Sequence, residues 1–310
     1  MTTLNPHLNA MALAAMAMPV PQRSDWTCRD RFIEHEQIQA IYKVTDMLVR
    51  SKGRVRARGA VVSGAGGSGK TMLANAILRR YPEVGNSEGV DAMRPVIRIT
   101  MTNAREANKV FSRTLRALGC PHVAGYSLDE REELVVELLR AAQVRMLIID
   151  EIQDILKRSA RQMENTFEGI KYLMNEAGIS ILALGTEHAQ QAMMREEHLV
   201  TRFRSIKLPP WRTGPLLANF LDELETCLPL PERSRLSMPA IQRLLVTASG
   251  GRLDIIVERV VFAAALAIED DVRRVDERYL ERAEFEIPAY FSGRTPASQR
   301  GDPAQQEEAA

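Results

Sequence analysis

Aromatic residues make up 5% of this 310-residue chain, and only two of them are tryptophan. That scarcity argues against the stacking platforms on which single-strand binders lay successive bases. Cysteine is scarcer still: Cys28, Cys120 and Cys227 are an odd number, far apart, with no CxxC pair and no histidine at ligand spacing. Neither a disulfide framework nor a structural zinc site is supported, and a reducing cytoplasm is the expected setting. Neither sign of charge dominates, because 41 Lys plus Arg face 40 Asp plus Glu for a net charge of +1. A polybasic or polyacidic protein is excluded, so any surface for nucleic acid has to be local. Long apolar runs are missing as well. The run from Met11 to Met18 has no Lys or Arg ahead of it and stops at Pro19, and the run from Val260 to Ile268 is too short to span a bilayer. The expected chain is neither secreted nor membrane-spanning. What is present is 45% apolar residues, enough for a sizeable core over about two domains.

Residues 1–27 carry Pro6, Pro19 and Pro21 among small and polar residues without sustained periodicity, and read as an extended N-terminal arm. From Arg31 to Arg50, apolar positions recur at three- and four-residue steps, as in an amphipathic helix. Five short strands follow, at Ala60–Ser63, Pro95–Thr102, Met146–Ile149, Ser180–Leu184 and Arg204–Leu208, each separated from the next by helical sequence. Met146–Ile149 is a continuous apolar run, the mark of a strand buried on both faces. Ser127 to Glu130 has the spacing of a capping box and opens one of the intervening helices. The alternation predicts an α/β fold with a five-stranded, doubly wound parallel sheet over residues 28–210. After Pro209, Pro210 and Trp211 only helical patterns remain, at about 214–226, 238–248, 252–269 and 276–285, so residues 211–290 read as a small all-α domain. Residues 291–310 have almost no apolar content and read as a disordered tail.

Gly64, Ala65, Gly66, Gly67, Ser68, Gly69, Lys70 and Thr71 match G-x-x-x-x-G-K-[ST] completely, between a predicted strand and a predicted helix. The glycines let successive backbone N–H groups converge on a phosphate, and the helix that starts here adds its positive end. Lys70 is placed to reach the β and γ oxygens of a nucleoside triphosphate, and the Thr71 hydroxyl to take Mg²⁺. Asp150 and Glu151 end the third strand, at the carboxyl edge where ligands of parallel sheets bind. In that position Asp150 would hold Mg²⁺, directly or through water, and Glu151 would act as the base that polarises an attacking water. Thr186, at the end of the fourth strand, would orient that water from the other side. Arg202 and Arg204 flank Phe203 at the start of the fifth strand, where a guanidinium suits the γ-phosphate of a neighbouring subunit.

These segments resemble an AAA+ ATPase and, more narrowly, the TniB-type transposition ATPases. The narrower likeness is carried by Arg31-Phe32-Ile33-Glu34-His35, the Gly64–Thr71 loop, Leu147-Ile148-Ile149-Asp150-Glu151-Ile152-Gln153, and Leu208-Pro209-Pro210-Trp211. It implies a nucleotide-binding base domain and a helical lid. It also implies an ATPase that assembles as a ring or helical filament on duplex DNA, works with a transposase and a target-selection protein, and is released on hydrolysis. Carried over by position, Lys70 and Thr71 match the nucleotide loop, Asp150 and Glu151 the metal and water acids, Thr186 the first sensor and Arg202 the trans-acting finger. The sequence departs from the pattern in the lid, where Gly250 and Gly251 are followed at once by Arg252 and Asp254 falls at the place usual for the second-sensor arginine, leaving Arg252 as a weak candidate for that role.

Arg105, Lys109, Arg113 and Arg116 fall at steps of four, four and three, one basic stripe along the helix after the second strand. Such a stripe suits phosphate oxygens and would bind duplex DNA without reading its sequence. Two other functions share the nucleotide residues: a helicase loader or replication initiator, and a nucleotide switch that touches no DNA. The absence of winged-helix sequence after residue 290 counts against a typical initiator.

Overall fold

A computed structural model describes residues 7–51, 56–85, 93–102, 109–120, 125–157 and 159–291. The chain builds two compact units, one of residues 36–210 and one that joins the residues up to His35 with those from Trp211 onward.

Two helices open the described residues. Helix α1 (Ala10–Ala15) starts where the Asn9 side chain accepts from the Ala12 N–H, and α2 (Val20–Thr27) starts with proline in its first turn. Proline read as a breaker is tolerated there, because the first N–H groups of a helix have no intrahelical acceptor. Residues 7–27, part of the segment expected as an extended arm, are therefore folded into the second unit, and residues 28–35, expected in the sheet domain, go with them; residues 1–6 of that segment lie outside the described residues.

The sheet unit opens with α3 (Glu36–Arg50), β1 (Gly59–Gly64) and α4 (Lys70–Arg80), followed by β2 (Val96–Thr100), α5 (Lys109–Ala117) and α6 (Leu128–Ala141). Next come β3 (Met146–Asp150), a 3₁₀ turn at Ile152–Lys157, α7 (Ala160–Glu176), β4 (Ser180–Gly185), α8 (Glu187–Arg195), α9 (Glu197–Val200) and β5 (Phe203–Leu208). All pairings are parallel, in the order β2-β3-β4-β1-β5. Every residue of β1, β3 and β4 is buried, as expected for central strands covered by helices on both faces. The core gathers Ile97, Ile99, Leu147, Ile149, Ile181 and Ala183 from the sheet with Phe111, Leu115, Leu139, Ile170 and Leu173 from the helices. The expected capping box of α6 is present: Ser127 Oγ accepts from the Glu130 N–H, and Glu130 accepts in return from the Ser127 N–H.

The helical unit continues with α10 (Pro215–Thr226), α11 (Pro239–Ser249), α12 (Leu253–Glu269) and α13 (Glu277–Phe291). The Val260–Ile268 run is the spine of α12 and is buried among Leu217, Leu221, Leu245 and Leu280. Among the described residues no helix is long and apolar enough to cross a membrane. Helix α2 lies against α12, and the Ser24 hydroxyl donates to Glu269 at 2.6 Å.

Candidate nucleotide site

The register of the sheet brings Ser63 of β1 beside Gly185 of β4 and Lys207 of β5, so the ends of the strands make one edge. The Gly64–Thr71 loop leaves that edge and enters α4. Gly67 and Gly69 have φ of 73° and 83°, in the left-handed region that a side chain would penalise. Their backbone curls around Lys70, whose side chain is buried, with Nζ donating to Gly64 O at 3.0 Å, Ala65 O at 2.7 Å and Ser68 Oγ at 3.1 Å. Burial lowers the pKa of its ammonium, while Glu151 and Asp150 pull it upward.

Asp150 is fully buried at the end of β3. Its Oδ2 accepts from the Thr71 hydroxyl at 3.0 Å, although the two residues are 79 apart in sequence. The same oxygen accepts from Arg98 at 2.6 Å, and Oδ1 accepts from the Glu151 N–H at 2.9 Å. Glu151 follows with φ of 56°, an unfavourable backbone for a residue with a side chain and one that recurs where chemistry is done. Its carboxylate accepts from Gln153 Nε2 in the 3₁₀ turn. That turn can approach β4 because position 185 is glycine: a Cβ there would stand 2.7 Å from Ile152 Cγ2 and 3.0 Å from Gln153 Oε1. The paired hydroxyl and carboxylate of Thr71 and Asp150 are hard oxygen donors of the kind Mg²⁺ takes, with phosphate and water filling its other positions. Among the described residues no group of three or more His, Cys, Asp or Glu forms a separate metal cage.

Residues 23–213 match the family model described as TniB, Bacterial TniB protein. The chain belongs to the TniB family. None of the curated proteins matches it. Among solved structures it is similar to the Aeropyrum pernix ORC1 protein in complex with DNA, with 18% identity and a TM-score of 0.58 over 85% of this chain and 69% of that one. It is also similar to Drosophila ORC bound to DNA, at 13% identity and a TM-score of 0.60 over 89% and 68%. A third likeness is to the Aeropyrum pernix ORC2 protein in ADPNP–ADP complexes, at 17% identity and a TM-score of 0.60 over 84% and 71%. At such identities the likeness shows the fold, which is that of AAA+ ATPases.

The remaining candidate residues of this TniB-family chain lie around the sheet unit. Thr186 ends β4 on the carboxyl edge and caps α8, its hydroxyl accepting from the Ala189 N–H at 3.5 Å. Arg202 and Arg204 lie elsewhere, at the opposite, amino-terminal edge of the sheet, where Gly59 N–H donates to Arg202 O at 3.0 Å. At roughly 3.3 Å per residue the length of β1 separates them from their own phosphate loop. There Arg56, His198, Val200, Thr201 and Arg202 line a cleft of about 400 Å³, and Arg58 and Arg204 line an adjoining one of about 420 Å³. Arg202 donates to the neutral Asn175 at 2.7 Å, and among the described residues no carboxylate forms an ion pair with Arg56, Arg58, Arg202 or Arg204. Burial lowers the Arg202 pKa, and the charge of Arg56 beside it lowers it further.

Of the basic stripe, Arg105 lies outside the described residues. Lys109, Arg113 and Arg116 sit on α5, whose buried face is Val110, Phe111, Thr114 and Leu115. Arg116 is exposed, whereas the half-buried Arg113 donates to the Thr102 carbonyl. In the helical unit Arg252 stands at the N-cap of α12 and pairs with Asp254 at 2.7 Å. The site also holds residues the sequence reading missed: Arg98 and Asn75 behind Asp150, Gln153 on Glu151, and Gln190 of α8 accepting from Ser63. The available signal for Arg98 was a charged residue inside an otherwise apolar strand.

Proposed function

We propose that this protein binds and hydrolyses ATP with Mg²⁺ and assembles with copies of itself on duplex DNA, largely without regard to sequence. In that ATP state it recruits a transposase and a target-selection protein in the cytoplasm, and hydrolysis releases the assembly. The observation that carries the reading is the meeting of the Thr71 hydroxyl with Asp150 at 3.0 Å, next to the buried Lys70. Residues 36–210 act as the nucleotide-binding base, and the helical unit of residues 211–290 acts as the lid.

In this reading the Gly64, Gly66, Gly67, Ser68 and Gly69 backbone cradles the phosphates, and Lys70 exchanges its loop carbonyls for β and γ oxygens. Thr71 and Asp150 hold Mg²⁺, which when bound neutralises charge on the phosphate oxygens. Glu151 takes the proton of the attacking water, and Thr186 orients that water. Arg202 stabilises transition-state charge in a neighbour's site, with Arg204 as the other candidate finger. Lys109, Arg113 and Arg116, with Arg105, meet DNA phosphates. Arg252 is a weaker second-sensor candidate, because it is already paired with Asp254.

Binding of the ATP-loaded protein to random-sequence duplex, at low and at moderate salt, tests this reading. ATP-dependent binding that weakens with salt is expected, followed by retention of an integrase-type transposase on the complex. No binding at either salt would favour the nucleotide switch. DNA binding without retention of any transposase would favour the loader or initiator.

A further inference from the structure

Arg98 stands in the middle of β2, flanked by the buried Ile97 and Ile99. Its guanidinium spans two other elements. One terminal nitrogen donates to Asp150 Oδ2 at 2.6 Å, and the other donates to Asn75 Oδ1 on α4 at 2.6 Å. The Asp150 side chain is 1% exposed and that of Arg98 is 20% exposed. Arg98 Nε is buried and has no hydrogen-bond partner among the described residues. The fork therefore ties the helix that begins at Lys70 to the strand that ends at Asp150.

A carboxylate buried as deeply as Asp150 requires a compensating charge. The Lys70 ammonium is near enough to feel Asp150 but is hydrogen-bonded to its own loop, so Arg98 is the cation in direct contact with the carboxylate. The contact is on Oδ2, the oxygen that also faces Thr71. A guanidinium does not lose its proton in proteins, so this cation is permanent. Any divalent ion that approaches Asp150 from the Thr71 side meets a positive charge already bonded to the same oxygen.

We propose that Arg98 is a positioning residue, the resident counter-cation of Asp150, which holds the carboxylate aimed at Thr71 and sets the Mg²⁺ concentration at which nucleotide is retained. This inference rests on the nucleotide reading above. Arg98 opposes free divalent ions at Asp150, and it favours an ion that arrives with the negative charge of the phosphates. The tie to Asn75 keeps Thr71 and Asp150 in register while the site is empty of charge from outside.

The test is a Mg²⁺ titration of the full-length protein with a fluorescent ATP analogue, read as bound analogue rather than turnover. Arg98→Gln is expected to reach half-maximal binding at about tenfold lower Mg²⁺, the size of one charge-assisted hydrogen bond. Asn75→Ala leaves the Arg98 charge in place, so its midpoint is expected within about twofold of wild type. In an Asp150→Asn background Arg98→Gln should shift nothing, because the residue acts through that carboxylate. An unchanged or higher midpoint in folded Arg98→Gln overturns the proposal, as does an equal loss of affinity at every Mg²⁺ concentration. If Arg98→Gln does not fold, Arg98→Met, which keeps an apolar stem and removes the charge, takes its place: a midpoint about tenfold lower supports the proposal, and an unchanged or higher one overturns it. Wild-type protein that fails to bind the analogue would sink the nucleotide reading and this inference together. A wild type that binds it with Mg²⁺ dependence leaves only Arg98 in question.

Discussion

Lys70 is held by two backbone carbonyls and a serine hydroxyl of its own loop, partners that phosphate oxygens can replace one for one. Lys70→Ala removes the charge and leaves those acceptors unmet, so nucleotide binding and DNA assembly are expected to vanish together. Normal affinity for a fluorescent ATP analogue in that variant would show the loop assignment to be wrong. Glu151→Gln should separate the two steps, since the amide keeps the shape of the site while removing the base. Turnover is expected to fall about 10²- to 10⁴-fold with nucleotide affinity retained. An unmodified hydrolysis rate would place the base elsewhere. His35 offers a different kind of test. Its ring stands edge-on to Trp211 at 4.9 Å and its Nδ1 is buried with no partner among the described residues, and burial pushes its pKa down to about 4. An unfolded histidine takes its proton near pH 6.5, so between about 6.5 and 4 the unfolded chain binds a proton that the folded one refuses. Stability should therefore decline as pH falls through that window and be unaffected by His35 above it. His35→Phe is expected to lose less stability than wild type between neutral and mildly acidic pH in thermal melts. Parallel pH curves for the two proteins would refute this.

At the scale of elements, what was legible depended on whether the stabilising contact was local. Strands β1, β3 and β4 announced themselves as apolar runs followed by Gly64, Asp150 and Gly185, because a strand buried on both faces has no room for alternation. The α6 start was legible for the same reason, since Ser127 and Glu130 satisfy each other within four residues. Helices α1 and α2 were not. They are short, α2 begins between Pro19 and Pro21, and α2 is held by packing on α12, a contact that no local pattern encodes. Arg98 escaped notice likewise, since its partners Asn75 and Asp150 lie on two other elements. Helix α5 shows how a local pattern can be correct in spacing and still incomplete. Its basic face was readable, but Arg113 spends part of its charge on the Thr102 carbonyl. Arg116 is exposed and is the better probe of DNA contact. Arg116→Glu is expected to weaken binding to all duplex sequences alike and to reduce the salt slope by about one. A sequence-dependent loss would mean that α5 reads bases.

For the whole molecule, the two edges of the sheet carry complementary chemistry. The carboxyl edge holds the phosphate loop with Asp150 and Glu151, and the amino edge holds Arg56, Arg58, Arg202 and Arg204 without a paired carboxylate among the described residues. If the proposed assembly joins one edge to the other, the contact is head-to-tail, and such contacts close into rings or run on as filaments. Hydrolysis should then rise more than linearly with protein concentration and rise again when DNA gathers subunits. Arg202→Ala is expected to bind ATP and hydrolyse poorly, by about 10³-fold or more if the finger acts as in other nucleotide hydrolases. Mixed with Lys70→Ala it should recover some activity, because an intact Lys70 site on one subunit meets an intact Arg202 from the other. Recovery from Arg204→Ala but not from Arg202→Ala would move the finger to Arg204. Wild-type activity in Arg202→Ala alone, linear in concentration, would sink the shared site. The discontinuous helical unit has a consequence in time. Ser24 and Glu269, joined by a hydrogen bond, are 245 residues apart, an interval of roughly 10 to 50 s at ordinary synthesis rates. During it the sheet unit can be made in full, while α2 has no α12 to lie on. Helix α12 thus completes a fold whose other half was made first, and any delay between them lengthens the exposure of the N-terminal helices.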